Sequence, residues 1–210
     1  MAAVPLGKRQ ERIGEEMKRF TEEQFSRLDD INENDRILCR GGAGTGKTFL
    51  AMEVMRREIA LGRNCLYVAR SQPLVDFLKQ DRESLDLLSF DELHSRTITE
   101  SWDVLVVDEG QDLLGLQFLE VLEGALKGGL GNGRWRWFMD DHHQAGLHDD
   151  VDPEAIQMLD PKGLTLQRLR VNCRNTSEIV HFTQMATGAD IGEAKINGSG
   201  PIAEFPMIDE

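Results

Sequence analysis

The stretch that decides the fold is RILCRGGAGTGKT, residues 36–48. Its first five residues, Arg36 to Arg40, are a short apolar run that predicts a buried strand. The next eight, 41–48, satisfy GxxxxGK[ST], and an amphipathic helix is predicted from Lys47 to about Leu61 with Phe49, Leu50, Val54, Met55 and Ile59 facing inward. A strand, a glycine loop and a helix in that order give the pattern physical content. Glycines let successive backbone N–H groups converge on a phosphate, and the helix start adds positive potential. The expected nucleotide-binding residues are therefore Gly42, Ala43, Gly44, Thr45, Gly46, Lys47, Thr48 and Phe49. Lys47 is expected to bridge the β- and γ-phosphates and Thr48 to ligate Mg²⁺, with ATP as the nucleotide.

The same alternation extends outward in both directions. Upstream, a polar segment at 7–19 leads to a helix starting at Thr21, where Thr21 and Gln24 form a capping box and Phe20 and Phe25 its hydrophobic staple. Downstream, Gly62 ends the P-loop helix and Cys65 to Ala69 (CLYVA) is a second buried strand, followed by a helix near Pro73 to Lys79. Leu85 to Phe90 reads as a short strand or turn, Asp103 to Val107 (DVLVV) as a strand and Leu113 to Leu126 as a helix. The glycine-rich 128–133 reads as a turn, Arg134 to Met139 (RWRWFM) and Leu164 to Leu169 as strands, and Thr176 to Met185 as a helix. Strands separated by helices imply right-handed βαβ crossovers, hence an α/β fold with a mostly parallel sheet. The expected organisation is a polar segment over 1–19, one ATP-binding domain over 20–197 and a tail over 198–210 that is either a turn with a strand or the start of a second lobe.

Composition narrows the function classes. No apolar run approaches the roughly 20 residues that span a bilayer, and no signal peptide is legible, so the expectation is a cytoplasmic protein without a membrane partner. Cys39, Cys65 and Cys173 show no ligand spacing, and the expectation is buried free thiols. The net charge of −13 argues against a surface that is basic all over, so any nucleic acid would have to meet a local positive track. His142, His143 and His148, interleaved with Asp140, Asp141, Asp149 and Asp150, read as an exposed polar loop in preference to a metal site.

A hydroxyl alone neither holds Mg²⁺ nor activates water, so a carboxylate site is required. VLVVDE, 104–109, supplies it where a hydrophobic strand ends in two acids. Asp108 is expected to hold Mg²⁺ and Glu109 to orient and deprotonate the attacking water, which makes the reaction hydrolysis. Trp135 and Trp137 share one face of a predicted strand and are read as core residues.

The residues beyond this pair carry a family resemblance. DEGQD (108–112) resembles the DEAQD-type box of superfamily 1 helicases, the UvrD/Rep and RecD-like group, and further segments fall in that family's order. FTEEQ (20–24) looks like its adenine-reading glutamine motif, GGAGTGKT its motif I, CLYVARSQ (65–72) its motif Ia and LLSFDEL (87–93) the segment before its second box. FMDDHHQ (138–144) looks like motif III and LRVNCRNT (169–176) like motif IV. The resemblance implies a P-loop NTPase of RecA-like three-layer architecture. It implies that Gln24 contacts the adenine, that Gln144 senses the γ-phosphate and that Arg174 offers it a guanidinium. It also implies that Arg70, Ser71 and Gln72 touch single-stranded DNA or RNA.

Three departures accompany the match. Asp140 stands where motif III carries a glycine before its aspartate, and the stretches between Ala69 and Val104 and between Gln144 and Leu169 leave no room for DNA-gripping subdomains. Motifs V and VI have no counterpart after Arg174, so the expectation is one RecA-like lobe of a truncated motor, completed by a second lobe in cis or in trans. The alternative expectation is a nucleotide-sensing interaction module that binds ATP and hydrolyses it slowly.

Overall fold

The computed structural model describes residues 31, 33–80, 84–140, 159, 164–176 and 193–196. The deciding stretch forms strand β1 (Arg36–Gly41), a loop and helix α1 (Lys47–Ala60). There follow β2 (Cys65–Ala69), α2 (Gln72–Lys79), β3 (Asp86–Ser89), α3 (Phe90–Ser95) and β4 (Val104–Asp108). A 3₁₀ turn at Gly110–Leu113 leads to α4 (Leu116–Ala125), the short α5 (Gly129–Asn132) and β5 (Arg134–Met139). The last described elements are β6 (Thr165–Leu169), β7 (Val171–Thr176) and β8 (Glu193–Ile196).

Strands β1 to β6 make one sheet in the order β3-β2-β4-β5-β1-β6, parallel at every pairing, while β7 and β8 pair separately, also in parallel. Because side chains alternate across a strand, each central strand feeds both faces of the sheet. One face takes Ile37, Cys39, Tyr67, Val104, Val106 and Phe138 and is covered by α1 and α2 through Leu50, Val54, Met55, Val75 and Leu78. The other takes Leu38, Leu66, Val68, Leu105, Val107, Trp135 and Trp137 and is covered by α3, α4 and α5. The result is a three-layer α/β sandwich, and both tryptophans are fully buried in it. At roughly 25 cal/mol per Å² of apolar surface removed from water, burial of these two layers is the main term holding the sheet. Cys39 and Cys65 are buried free thiols, as expected, and burial pushes the Cys65 thiol up to about 12.

Several local expectations need correction. Phe49 and Ile59 are 42% and 38% exposed rather than inward. The buried stripe of α1 is Lys47, Leu50, Ala51, Val54, Met55 and Glu58, a three-then-four spacing from which residues 49 and 59 fall outside. The glycine-rich 128–133 forms a helical turn, α5, with Gly128 and Gly129 at positive φ. Residues 171–176 form a strand, where only a helix from Thr176 was expected, and the rest of that expected helix lies outside the described residues, as do the Thr21 helix and the 198–210 tail. Among the described residues, no helix is long and apolar enough to cross a membrane.

Candidate nucleotide site

In the sheet order β4-β5-β1, the carboxyl ends of three adjacent strands bring together Asp108 and Glu109, Asp140, and the loop after Gly41. That end of a parallel sheet is where α/β folds bind ligands. The loop is a wrapped P-loop. Gly44 and Gly46 have φ of 86° and 88°, a left-handed backbone that costs glycine nothing and other residues about 1–2 kcal/mol. Thr45 is fully buried and its hydroxyl donates to the Gly42 carbonyl at 2.8 Å, so it shapes the loop from inside. The Asn172 amide of β7 donates to the Ala43 carbonyl at 2.8 Å, tying the second sheet to the loop.

Lys47 opens α1 and is 6% exposed. Its ammonium donates to the carbonyls of Gly41 and Gly42 at 3.0 and 3.2 Å and forms an ion pair with Asp140. Asp140, at the end of β5, thus lays a carboxylate on the P-loop lysine. The sequence order of β5 and β1 gave no hint of this contact.

Asp108 is fully buried at the end of β4. It accepts hydrogen bonds from the Tyr67 hydroxyl at 2.9 Å, the Glu109 backbone N–H at 3.0 Å and the Thr48 side chain. Burial nevertheless pushes its carboxyl up from the usual range, the three hydrogen bonds opposing and the Glu109 charge reinforcing the shift. The same carboxylate and burial drive the Tyr67 hydroxyl well above its usual value. A desolvated carboxylate beside a threonine hydroxyl is a pair of oxygen donors short of positive charge, which fits a hard divalent cation. No group of three His, Cys, Asp or Glu side chains suited to a metal exists among the described residues. Among the described residues, those placed to hold Mg²⁺ would be Thr48 and Asp108.

Glu109 is the one non-glycine among the described residues with positive φ, at 49° with ψ 42°. A residue held there at a cost of about 1–3 kcal/mol is over-determined by its surroundings. The next residue explains part of that. A Cβ on Gly110 would lie 1.9 Å from Trp137 Nε1, so any larger residue here would have to displace the indole. Gln111 then folds back, its amide donating to Glu109 Oε2 at 2.7 Å while its carbonyl oxygen accepts from the Asp140 N–H at 3.1 Å.

The remaining expected site residues fall differently. Arg70 at the end of β2 pairs with Asp91 at 3.1 Å and lies 5.1 Å from the Phe118 ring centre and 5.9 Å from that of Phe90. Ser71 caps α2 through the Leu74 N–H, and Gln72 donates to Asp76 at 2.8 Å, so all three are engaged by the chain itself. Phe49, on the first turn of α1, is exposed beside the loop. Arg174 lies on β7, two residues beyond the Asn172 tether, while Gln24 and Gln144 lie outside the described residues.

The sheet and loop together make this a P-loop α/β fold. No protein-family model and no curated protein matches the sequence. Among solved structures, the chain is similar at 18% identity to Bacteroides Pif1 bound to ssDNA, with a TM-score of 0.39 over 57% of this chain and 32% of that one. It is similar, also at 18% identity, to the replication initiator DnaA bound to AMPPCP and single-stranded DNA (TM-score 0.42, 80% of this chain and 50% of that one). AMPPCP-bound DnaA from Aquifex aeolicus gives a TM-score of 0.44 at 18% identity, over 81% of this chain and 54% of that one. The chain spans about half or less of the length of these proteins.

Sequence reasoning missed Tyr67, Gln111, Asn172 and the reach of Asp140. For Tyr67 a signal existed. Residues 65, 67 and 69 of β2 and 104, 106 and 108 of β4 have matching parity, so Tyr67 and Asp108 had to share the face under α1.

Proposed function

We propose that this chain is the ATP-binding and hydrolysing lobe of a superfamily 1 helicase-like ATPase, stimulated by single-stranded nucleic acid and completed by a second RecA-like lobe in cis or in trans. The observation that carries the reading is the convergence of Lys47, Thr48, Asp108 and Glu109 at the carboxyl ends of β1 and β4, the two strands that flank β5. The ordered series of motifs from FTEEQ to LRVNCRNT supports the family and the nucleic-acid partner.

In this reading the loop N–H groups and Lys47 bind the β- and γ-phosphates, and Lys47 exchanges the Asp140 carboxylate for phosphate oxygen as the nucleotide enters. Thr48 and Asp108 would hold Mg²⁺, which would supply charge neutralisation at the phosphates. Glu109 orients a water and takes its proton on a carboxylate oxygen as the water oxygen bonds to the γ-phosphorus. The bond from that phosphorus to the β,γ-bridging oxygen breaks, giving ADP and phosphate. Gln24 would read the adenine, and Gln144 and Arg174 would sense and stabilise the γ-phosphate. Arg70, Ser71 and Gln72 would face the strand, with Arg70 leaving Asp91 for a backbone phosphate.

The Lys47–Asp140 ion pair favours a second reading, a nucleotide-sensing module in which a triphosphate displaces an internal carboxylate and hydrolysis is slow. Titration with Mg-ATP, with and without single-stranded DNA or RNA, separates the two. The lobe reading expects binding by the unaltered chain and a loss of at least about 100-fold in Lys47→Ala, since a charge-assisted phosphate contact in a buried site is removed. Normal binding by Lys47→Ala would sink both readings. Binding without turnover under every nucleic-acid condition would leave only the sensor.

A further inference from the structure

The DEGQD turn places a side chain between the two acids that end β4 and the acid that ends β5. Gln111 is half-buried and makes two hydrogen bonds of opposite sense, its N–H₂ donating to Glu109 Oε2 at 2.7 Å and its oxygen accepting from the Asp140 backbone N–H at 3.1 Å. The two bonds fix the orientation of the amide, its N–H₂ toward the carboxylate and its oxygen toward the backbone N–H. Asp140 in turn is ion-paired with Lys47. A continuous chain of polar contacts therefore runs from Glu109 through Gln111 and Asp140 to the P-loop lysine. Glu109 starts the 3₁₀ turn on a left-handed backbone and its side chain makes no capping bond to that turn, which leaves the carboxylate to be held by Gln111.

We infer that Gln111 is a positioning residue for hydrolysis, holding the Glu109 carboxylate in register with Lys47 through the end of β5. This rests on the ATPase reading for its catalytic consequence, and on the two hydrogen bonds alone for the link itself. A carboxylate that must meet a water within hydrogen-bond distance loses rate steeply when its orientation is released. Binding of the triphosphate, which draws Lys47 from Asp140, is felt by Glu109 through the same amide.

Two substitutions divide the amide into its halves. Gln111→Glu keeps an oxygen for the Asp140 N–H and loses the donor to Glu109; Gln111→Ala loses both. Single-turnover hydrolysis in the full chain should fall about 10- to 100-fold in both variants, while Mg-ATP affinity stays within about threefold because no phosphate contact is removed. A purely structural role, bracing the end of β5, would instead lower the stability of Gln111→Ala and leave its single-turnover rate close to that of the unaltered chain. That outcome, or a loss of affinity with the rate unchanged, would overturn the inference.

A thermal double-mutant cycle between Glu109→Ala and Gln111→Ala needs no turnover. Non-additivity of about 1–3 °C is expected for side chains in direct contact, and additive shifts would overturn the link. If the unaltered chain bound Mg-ATP without hydrolysing it, the ATPase reading would fall and the cycle would still decide whether Gln111 holds Glu109.

Discussion

At the amino ends of the strands, Glu58 is fully buried and its carboxylate is matched by three arginines; at the carboxyl ends, Asp108 is fully buried and has only hydroxyl and backbone donors. Arg134 reaches Glu58 at 2.7 Å and Asp35 at 2.6 Å, Arg136 reaches Glu58 at 3.1 Å and the Asp35 carbonyl at 2.7 Å, and Arg63 closes the group. Burial works against the Glu58 charge, and hydrogen bonds and attraction from Arg134 and Arg136 overcome it, so the Glu58 carboxyl is held below its usual range. Burial wins at Asp108, whose carboxyl is held above it. One end of the sheet pairs its charges within the chain and is built for stability, although burial and the neighbouring Arg134 lower the Arg136 guanidinium to about 9 and its Nε has no hydrogen-bond partner among the described residues. The other keeps an acid short of positive charge, a lysine on a replaceable carboxylate and a glutamate on left-handed backbone, which is the condition of a site awaiting a ligand.

The contrast can be broken first at the settled end. Glu58→Ala leaves Arg136 buried without its acid partner and should cost about 3–5 kcal/mol, a fall of about 6–20 °C in melting temperature. Mg-ATP affinity at the far end should not change. The pH dependence follows from the depressed carboxyl. Glu58 contributes its full stability above its unfolded value of 4.5 and loses it as pH falls through the lower folded value. Acid melts of Glu58→Gln should therefore be flatter than those of the unaltered chain over that window. Equal melts, or a loss of affinity with stability intact, would mean that the two ends are not separate.

A smaller and opposite effect is expected at the site. Glu109→Gly removes the left-handed strain and should raise stability by about 1 kcal/mol while ending hydrolysis, the signature of a residue held for function. A destabilised Glu109→Gly would show that Glu109's contacts outweigh its backbone cost.

Most of the sheet was legible because its strands are buried on both faces and read as continuous apolar runs. CLYVA and RWRWFM match their strands residue for residue, and RILCR falls one residue short of its own. The phosphate loop was legible because its chemistry is local, with backbone, lysine and threonine all lying within eight residues. Contacts across the sheet were not. Asp140 meets Lys47 only because β5 lies beside β1, and Gln111 meets Asp140 only because β4 lies on the other side of β5. Strand order is set by the crossovers and is not written in any one segment. Phe49 and Ile59 are exposed for a simpler reason, since they are apolar but lie off the stripe that Leu50, Val54 and Glu58 define on α1.

The most direct test of the account is a paired measurement on Glu109→Gln and the unaltered chain, equilibrium Mg-ATP binding beside single-turnover hydrolysis. The expectation is unchanged binding and a rate lowered about 10²- to 10⁴-fold, as when a general base is removed. Hydrolysis by Glu109→Gln at the unaltered rate would contradict it.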